Sequence, residues 1–181
     1  HRALFTAAGF HVESYPYYDA AKRGVNFDGM LAALDNAQAG TVVVLHACCH
    51  NPTGYDISPD QWAQVVQVVK DRDLVAFLDM AYQGFGYGIT QDGAAVQQFV
   101  TAGLSFFVAT SCSKSFSLYG ERVGALSLLC TDKPEADRVL SQLKTVIRTN
   151  YSNPPTHGGA TVATVLGTPE LRELWEQELT E

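Results

Sequence analysis

The chain has 181 residues, enough for one domain with a sizeable core, and its 46% apolar and 17% charged residues are ordinary for an α/β protein. Its 12 basic and 19 acidic residues leave a net charge of −7, which argues against unspecific affinity for nucleic acid or an anionic membrane surface. No apolar run approaches the roughly 18 residues that span a bilayer, and the opening His1-Arg2-Ala3-Leu4 has neither an initiator Met nor a signal-peptide layout, so a fragment of a longer protein is expected.

Strand-like and helix-like segments alternate along the chain. His11–Tyr18 reads as a first strand, and Phe27, Leu31 and Leu34 mark a short amphipathic helix closed by Gly40. Thr41–Cys49 is a continuous β-branched run, the pattern of a strand buried on both faces. The next helix has the strongest signals: Ser58 as N-cap, Pro59 at its first position and Gln61 completing a capping box. Trp62, Val65, Val66 and Val69 then form one apolar stripe. Leu74–Leu78 is a second buried strand, and a helix over about Gly93–Ala102 leads to a third, Leu104–Thr110. Gly124–Cys130 gives a fourth strand and Pro134–Arg148 a long helix; after a break at Tyr151–Pro155, Thr168-Pro169 opens another helix. Such repetition implies a three-layer α/β/α domain on a mainly parallel sheet, with ligands beyond the carboxyl ends of the strands.

The residues suited to chemistry follow those strands. His50-Asn51-Pro52-Thr53-Gly54 follows the first buried run, Asp79-Met80-Ala81-Tyr82 the second, and Ser111-Cys112-Ser113-Lys114 the third, with Arg122 further on. An amide, a carboxylate with a phenol, and an amine with a guanidinium are thus delivered to one sheet edge. Read singly, Asp79 is equally a helix cap, Lys114 an exposed loop lysine, Arg122 half of a surface ion pair and Asn51 part of a turn. A carboxylate directly after Val75-Ala76-Phe77-Leu78, however, should be partly buried and need a partner.

Together, in this order, Asn51-Pro52-Thr53-Gly54, Asp79-x-x-Tyr82 and Ser111-x-x-Lys114-x7-Arg122 resemble the fold-type I, pyridoxal-phosphate-dependent aminotransferases of the aspartate and aromatic-amino-acid group. Ser117-Leu118-Tyr119-Gly120-Glu121-Arg122-Val123-Gly124 and Tyr151-Ser152-Asn153-Pro154-Pro155 resemble the same group. The resemblance implies that residues 1–181 are part of the large, cofactor-binding domain, with an N-terminal segment and a C-terminal small domain outside this chain. It implies pyridoxal phosphate as cofactor, Lys114 as the amine that bonds its aldehyde and shuttles the substrate's α-proton, and Asp79 as the partner of its ring nitrogen. Tyr82 and Asn51 match residues on the ring's phenolic oxygen, Asn51 also one that touches the substrate carboxylate, and Ser111 and Arg122 match phosphate ligands. His1 matches a histidine that supports the carboxylate. Arg148, Ser152 and Asn153 match a site that reads the substrate side chain across a dimer interface. A cytoplasmic homodimer that transaminates tyrosine, phenylalanine or aspartate with 2-oxoglutarate is expected, an aspartate-specific enzyme being the near alternative.

Three other readings compete. His46-Ala47-Cys48-Cys49-His50 suggests a metal site, but on a strand the two histidines would stand roughly 13 Å apart, so no metal is expected. By the same alternation Cys48 and Cys49 should point to opposite faces, making a disulfide between them unfavourable, and all four cysteines read as reduced core residues. Gly84-Phe85-Gly86-Tyr87-Gly88 lacks dinucleotide-turn spacing and a directly following helix, and reads as a flexible loop. A non-catalytic α/β binding module is the third reading, which the coherent residue set disfavours.

Overall fold

The computed structural model describes residues 1–180. A short helix α1 (Arg2–Ala7) leads through an irregular segment to a two-stranded antiparallel hairpin, β1 (Tyr18–Asp19) and β2 (Gly24–Val25), so the strand expected over residues 11–18 is not formed. Segment 11–17 instead lies along the sheet by side chain, with the Tyr15 hydroxyl donating to Val44 O at 2.7 Å. Helix α2 (Phe27–Asp35) starts from Asn26, whose side chain accepts from Gly29 N, and buries Met30 and Leu34.

The main sheet has the order β3 (Val42–His46), β4 (Val75–Met80), β5 (Phe106–Ser111), β6 (Gly124–Leu129). β3, β4 and β5 are parallel, and β6 returns antiparallel to β5. The right period-two alternation is present: Val43, Leu45, Ala76, Leu78, Phe106 and Val108 are buried on one face. That face is covered by α2, by α3 (Pro59–Asp71), and by α5 (Ala94–Thr101), which follows the single-turn α4 (Ile89–Asp92). The capping box at α3 forms as expected, with Gln61 N donating to Ser58 Oγ at 3.2 Å and Ser58 N to Gln61 Oε1 at 2.8 Å. Phe99 of α5 is fully buried between Trp62 and Phe106, with ring centroids 6.3 and 5.2 Å away.

The opposite face is half-buried. Phe77 and Phe107 stack there across β4 and β5, and Phe5 of α1 packs edge-on against Phe77. Three helices complete the chain: α6 (Lys133–Asn150), α7 (Thr156–Gly167) and α8 (Pro169–Thr180). α6 buries no residue, and β6 is an exposed edge strand. Among the described residues no helix is long and apolar enough to cross a membrane.

Candidate active site

Asp79 lies inside β4, one residue from its end, and not beyond the strand as the apolar run suggested. It alternates with Phe77 onto the half-buried face, where its side chain is 24% exposed. The partner its position demands is His1, whose Nε2 stands 2.8 Å from Asp79 Oδ2. A second imidazole faces the same oxygen: His46 ends β3 in register with Asp79, its Nε2 at 4.0 Å. His46 Nδ1 accepts from the backbone N–H of Asn51 at 3.2 Å, which leaves the ring proton on Nε2, the nitrogen directed at Asp79. His46 therefore links the loop bearing Asn51 to the carboxylate of the next strand. In the sequence His46 stands out only as a candidate metal ligand; the usable signal is its place at the end of a strand that pairs in parallel with the Asp79 strand.

Asn51 is presented by a braced turn. Beyond His46 the chain bends, and the Asp56 carboxylate accepts from Cys49 N and His50 N, both at 2.7 Å. The His50 ring stacks on Tyr17 with centroids 3.8 Å apart, and its Nδ1 is 2.8 Å from Thr53 Oγ1. Burial first, and then the nearby His46, hold His50 below the usual imidazole range. The Asn51–Pro52 bond is cis.

From this turn Asn51 Nδ2 reaches the Tyr82 hydroxyl at 3.2 Å, joining the post-β3 and post-β4 loops. The Lys114 ammonium, from the post-β5 loop, lies over the Tyr82 ring, 4.8 Å from its centroid. Ser111 is the last residue of β5, and its Oγ accepts from Ser113 N at 3.2 Å, shaping the turn that presents Lys114. Arg122 is exposed, has φ of +56° and donates to Tyr119 O at 2.8 Å. Helix α7 buttresses the strand entry beside it: buried Gly158 sits against Val123 and Glu121, where a Cβ would stand 2.9 Å from Glu121 Cβ. The structure thus gathers His1, His46, Asn51, Asp79, Tyr82 and Lys114 into one linked group at the carboxyl ends of β3, β4 and β5. Arg148 in the last turn of α6 contacts Ser152 Oγ, while Asn153 donates to Pro154 O. None of these three is hydrogen-bonded to the Asp79–Lys114 group among the described residues.

Three local expectations are corrected. His46 and His50 are not held apart by a strand, because β3 stops at His46; their ring centroids are 4.6 Å apart. Nor do Cys48 and Cys49 point to opposite faces: both lie past the strand end, Cys49 has φ of +51°, and their Sγ atoms and an Asp92 carboxylate oxygen all fall within 4.8 Å of one another. All four cysteines are free thiols, and burial pushes those of Cys48 and Cys49 up. Finally, the glycine-rich segment is not a loose loop, and α4 does follow Gly88 directly. Buried Asp92 accepts from the backbone N–H groups of Gly84, Gly86 and Tyr87 at 2.9, 3.0 and 2.9 Å. An internal carboxylate therefore occupies the donors that a dinucleotide turn would offer to phosphate.

The family model described as aminotransferase class I and II matches residues 1–181. The chain is 64% identical over its full length to 46% of an aspartate aminotransferase of Pseudomonas aeruginosa. It is 50% identical over its full length to 46% of the aromatic-amino-acid aminotransferase of Escherichia coli. In a crystal structure of an aromatic-amino-acid aminotransferase from Burkholderia pseudomallei, covalently bound to pyridoxal phosphate, 45% of the chain superposes on 99% of this one with a TM-score of 0.98 and 70% identity. The chain spans about half the length of the curated relatives it matches.

Proposed function

The chain belongs to the class I and II aminotransferases, and from that premise we propose that the full-length protein is a pyridoxal-phosphate-dependent transaminase acting on an aromatic amino acid or aspartate with 2-oxoglutarate. The observation that carries the reading is the convergence of a carboxylate, a phenol, an amide and an amine from three successive strand ends: Asn51 Nδ2 reaches the Tyr82 hydroxyl at 3.2 Å, the Lys114 amine lies 4.8 Å from the Tyr82 ring centroid, and His46, 4.0 Å from Asp79, accepts from Asn51 N. That donor set fits the cofactor: one amine for an aldehyde, one carboxylate for a ring nitrogen, two donors for a phenolic oxygen, and a guanidinium for a phosphate. When bound, pyridoxal phosphate supplies the aldehyde that takes the amino group and a ring that accepts the electron pair released at the substrate α-carbon.

The residues divide the remaining work. Asp79 keeps a proton on the cofactor ring nitrogen through a charge-assisted hydrogen bond, and His1 and His46 hold its carboxylate in place. Lys114 would hold the cofactor by its aldehyde, and its amine would move the proton at the substrate α-carbon. Tyr82 and Asn51, already hydrogen-bonded to each other, donate to the phenolic oxygen, and Asn51 also contacts the substrate carboxylate. Arg122 and Ser111 bind the phosphate, where a forked guanidinium suits a dianion.

Arg148, Ser152 and Asn153 read the substrate side chain from the partner subunit of a homodimer. Their separation from the Lys114 group, and the exposed Leu140 and Val146 on the same helix, support a role met from outside this chain. Four free thiols suit a reducing, cytoplasmic setting. An aspartate-preferring enzyme is the second reading, favoured by the name of the Pseudomonas relative. The test is the absorbance spectrum of the full-length protein with pyridoxal phosphate, followed by addition of tyrosine or aspartate. A lysine-linked chromophore that bleaches on amino-acid addition is expected, and a spectrum of free cofactor unchanged by either substrate would overturn the proposal.

A further inference from the structure

Helix α8 touches the loops that carry Lys114 and Tyr82, at two points one turn apart. The Trp175 indole N–H donates to Ser115 O at 2.6 Å, and the ring stacks on Phe116 with centroids 4.4 Å apart and planes 16° from parallel. Ser115 and Phe116 are the two residues immediately after Lys114. One turn on, Leu179 covers Gly84, two residues past Tyr82; a Cβ on that glycine would stand 2.9 Å from Leu179 Cδ1, and its φ of +101° already suits glycine alone. Residues i and i+4 share one helix face, so a single face of α8 contacts both the Lys114 loop and the Tyr82 loop.

We propose that α8 is a strap across these two loops and that Trp175 is a positioning residue that sets where Lys114 stands relative to Tyr82. The inference rests on the transaminase reading for its consequence, though not for its geometry. The segment between β5 and β6 holds itself weakly. It has no regular helix or strand, Ser117 and Arg122 both have positive φ, and apart from Cys112 N to Val123 O at 3.0 Å, which closes its base, its internal backbone bonds are single turns such as Ser117 N to Lys114 O at 2.9 Å. Among the described residues the indole is the only partner of the Ser115 carbonyl. The half-buried stack on Phe116 fixes the ring, the ring fixes the Ser115 carbonyl, and that carbonyl fixes the Ser115–Phe116 peptide, one residue beyond Lys114. Since α8 buries no residue, these contacts and its packing on α7 are what hold it. Movement of α8 is therefore transmitted to the distance between an amine and a phenol that both face the cofactor.

The experiment uses the full-length protein and three variants. Trp175→Phe keeps the stack and loses the donor, Leu179→Ala releases the Tyr82 loop, and Ser58→Ala weakens a distant helix cap without touching either loop. One hydrogen bond of ordinary strength corresponds to about a 3- to 10-fold effect. Trp175→Phe should lower kcat by that factor with KM for the amino acid changed less than about twofold, since a misplaced base costs the reaction more than binding. In cofactor-free protein, acylation of Lys114 by an amine reagent, scored by peptide mapping against exposed Lys144, should accelerate by about twofold or more in Trp175→Phe and Leu179→Ala. Ser58→Ala should leave both quantities at wild-type values. Wild-type kcat and wild-type Lys114 acylation in Trp175→Phe would overturn the proposal. The acylation arm needs no cofactor, so it decides the point even if the wild-type protein does not transaminate, an outcome that would sink the functional reading separately.

Discussion

Replacing Asp79 separates the two things the site must do, hold the cofactor and activate it. The carboxylate is anchored by His1 at 2.8 Å, with His46 at 4.0 Å, and its side chain is 24% exposed. A unit charge pair about 4 Å apart is worth about 4 kcal/mol at an effective dielectric near 20, and partial exposure reduces this to roughly 2–4 kcal/mol. If that interaction is strongest as the α-proton leaves, Asp79→Ala in the full-length protein should lower kcat by about 30- to 1,000-fold, at 1.36 kcal/mol per tenfold. Cofactor affinity should fall by no more than about tenfold, because Lys114 and the proposed phosphate ligands Ser111 and Arg122 are untouched. Asp79→Asn keeps the shape and an acceptor for His1, and should recover little of the rate, since the charge is what is missing. The assay is stopped-flow half-reaction kinetics with saturating cofactor, beside a cofactor titration. Turnover of Asp79→Asn within threefold of wild type would refute the reasoning.

Arg148→Leu should weaken aspartate by at least tenfold relative to phenylalanine, as a charged hydrogen-bond pair to the distal carboxylate is worth about 1.5–3 kcal/mol; equal losses for both substrates would count against Arg148 as a side-chain reader. Phe99→Ala, which empties the space between Trp62 and Phe106, should cost about 3–5 kcal/mol in denaturant unfolding, and a loss under about 1 kcal/mol would contradict the packing described. His50 gives a pH dependence with a definite sign. Its folded pKa is depressed, so the unfolded chain binds the extra proton, and the stability it contributes is present above about pH 6.5 and lost as pH falls below it. His50→Gln should flatten the fall in Tm between about pH 7.5 and pH 5; an unchanged slope would remove His50 as the cause.

Most of what positions the site was legible in the sequence. The apolar runs marked β3, β4 and β5, the Ser58–Gln61 pair marked the start of α3, and the residues after each strand marked Asn51, Asp79, Tyr82 and Lys114. What was not legible depends on pairing between distant segments. That β6 runs antiparallel follows from its register against β5, from Phe106 opposite Leu129 to Ser111 opposite Gly124. Asp79 reads as a post-strand residue until the parallel partner of β4 sets it opposite Ala109 inside the sheet. Cys48, Cys49 and His50 continue an apolar run and look like strand, yet Asp56 takes the backbone donors of Cys49 and His50 and turns the chain. Asp92 gave no sign of organising the glycine-rich loop, because a carboxylate eight residues downstream of Gly84 reads as solvent-facing until it is found buried. Residues 11–18 show the reverse error: the segment reads as a strand, but Tyr15 and Tyr17 direct their hydroxyls to Val44 O and Tyr55 O and no backbone ladder forms over 11–17.

The central claim is that Lys114 is the amine that holds the cofactor. Borohydride reduction of the full-length, pyridoxal-phosphate-loaded protein, followed by proteolysis and mass spectrometry, tests it most directly. The account predicts a single phosphopyridoxyl adduct, on the peptide carrying Lys114 between Ser113 and Ser115. An adduct on any other lysine, or none in protein that transaminates, would contradict it.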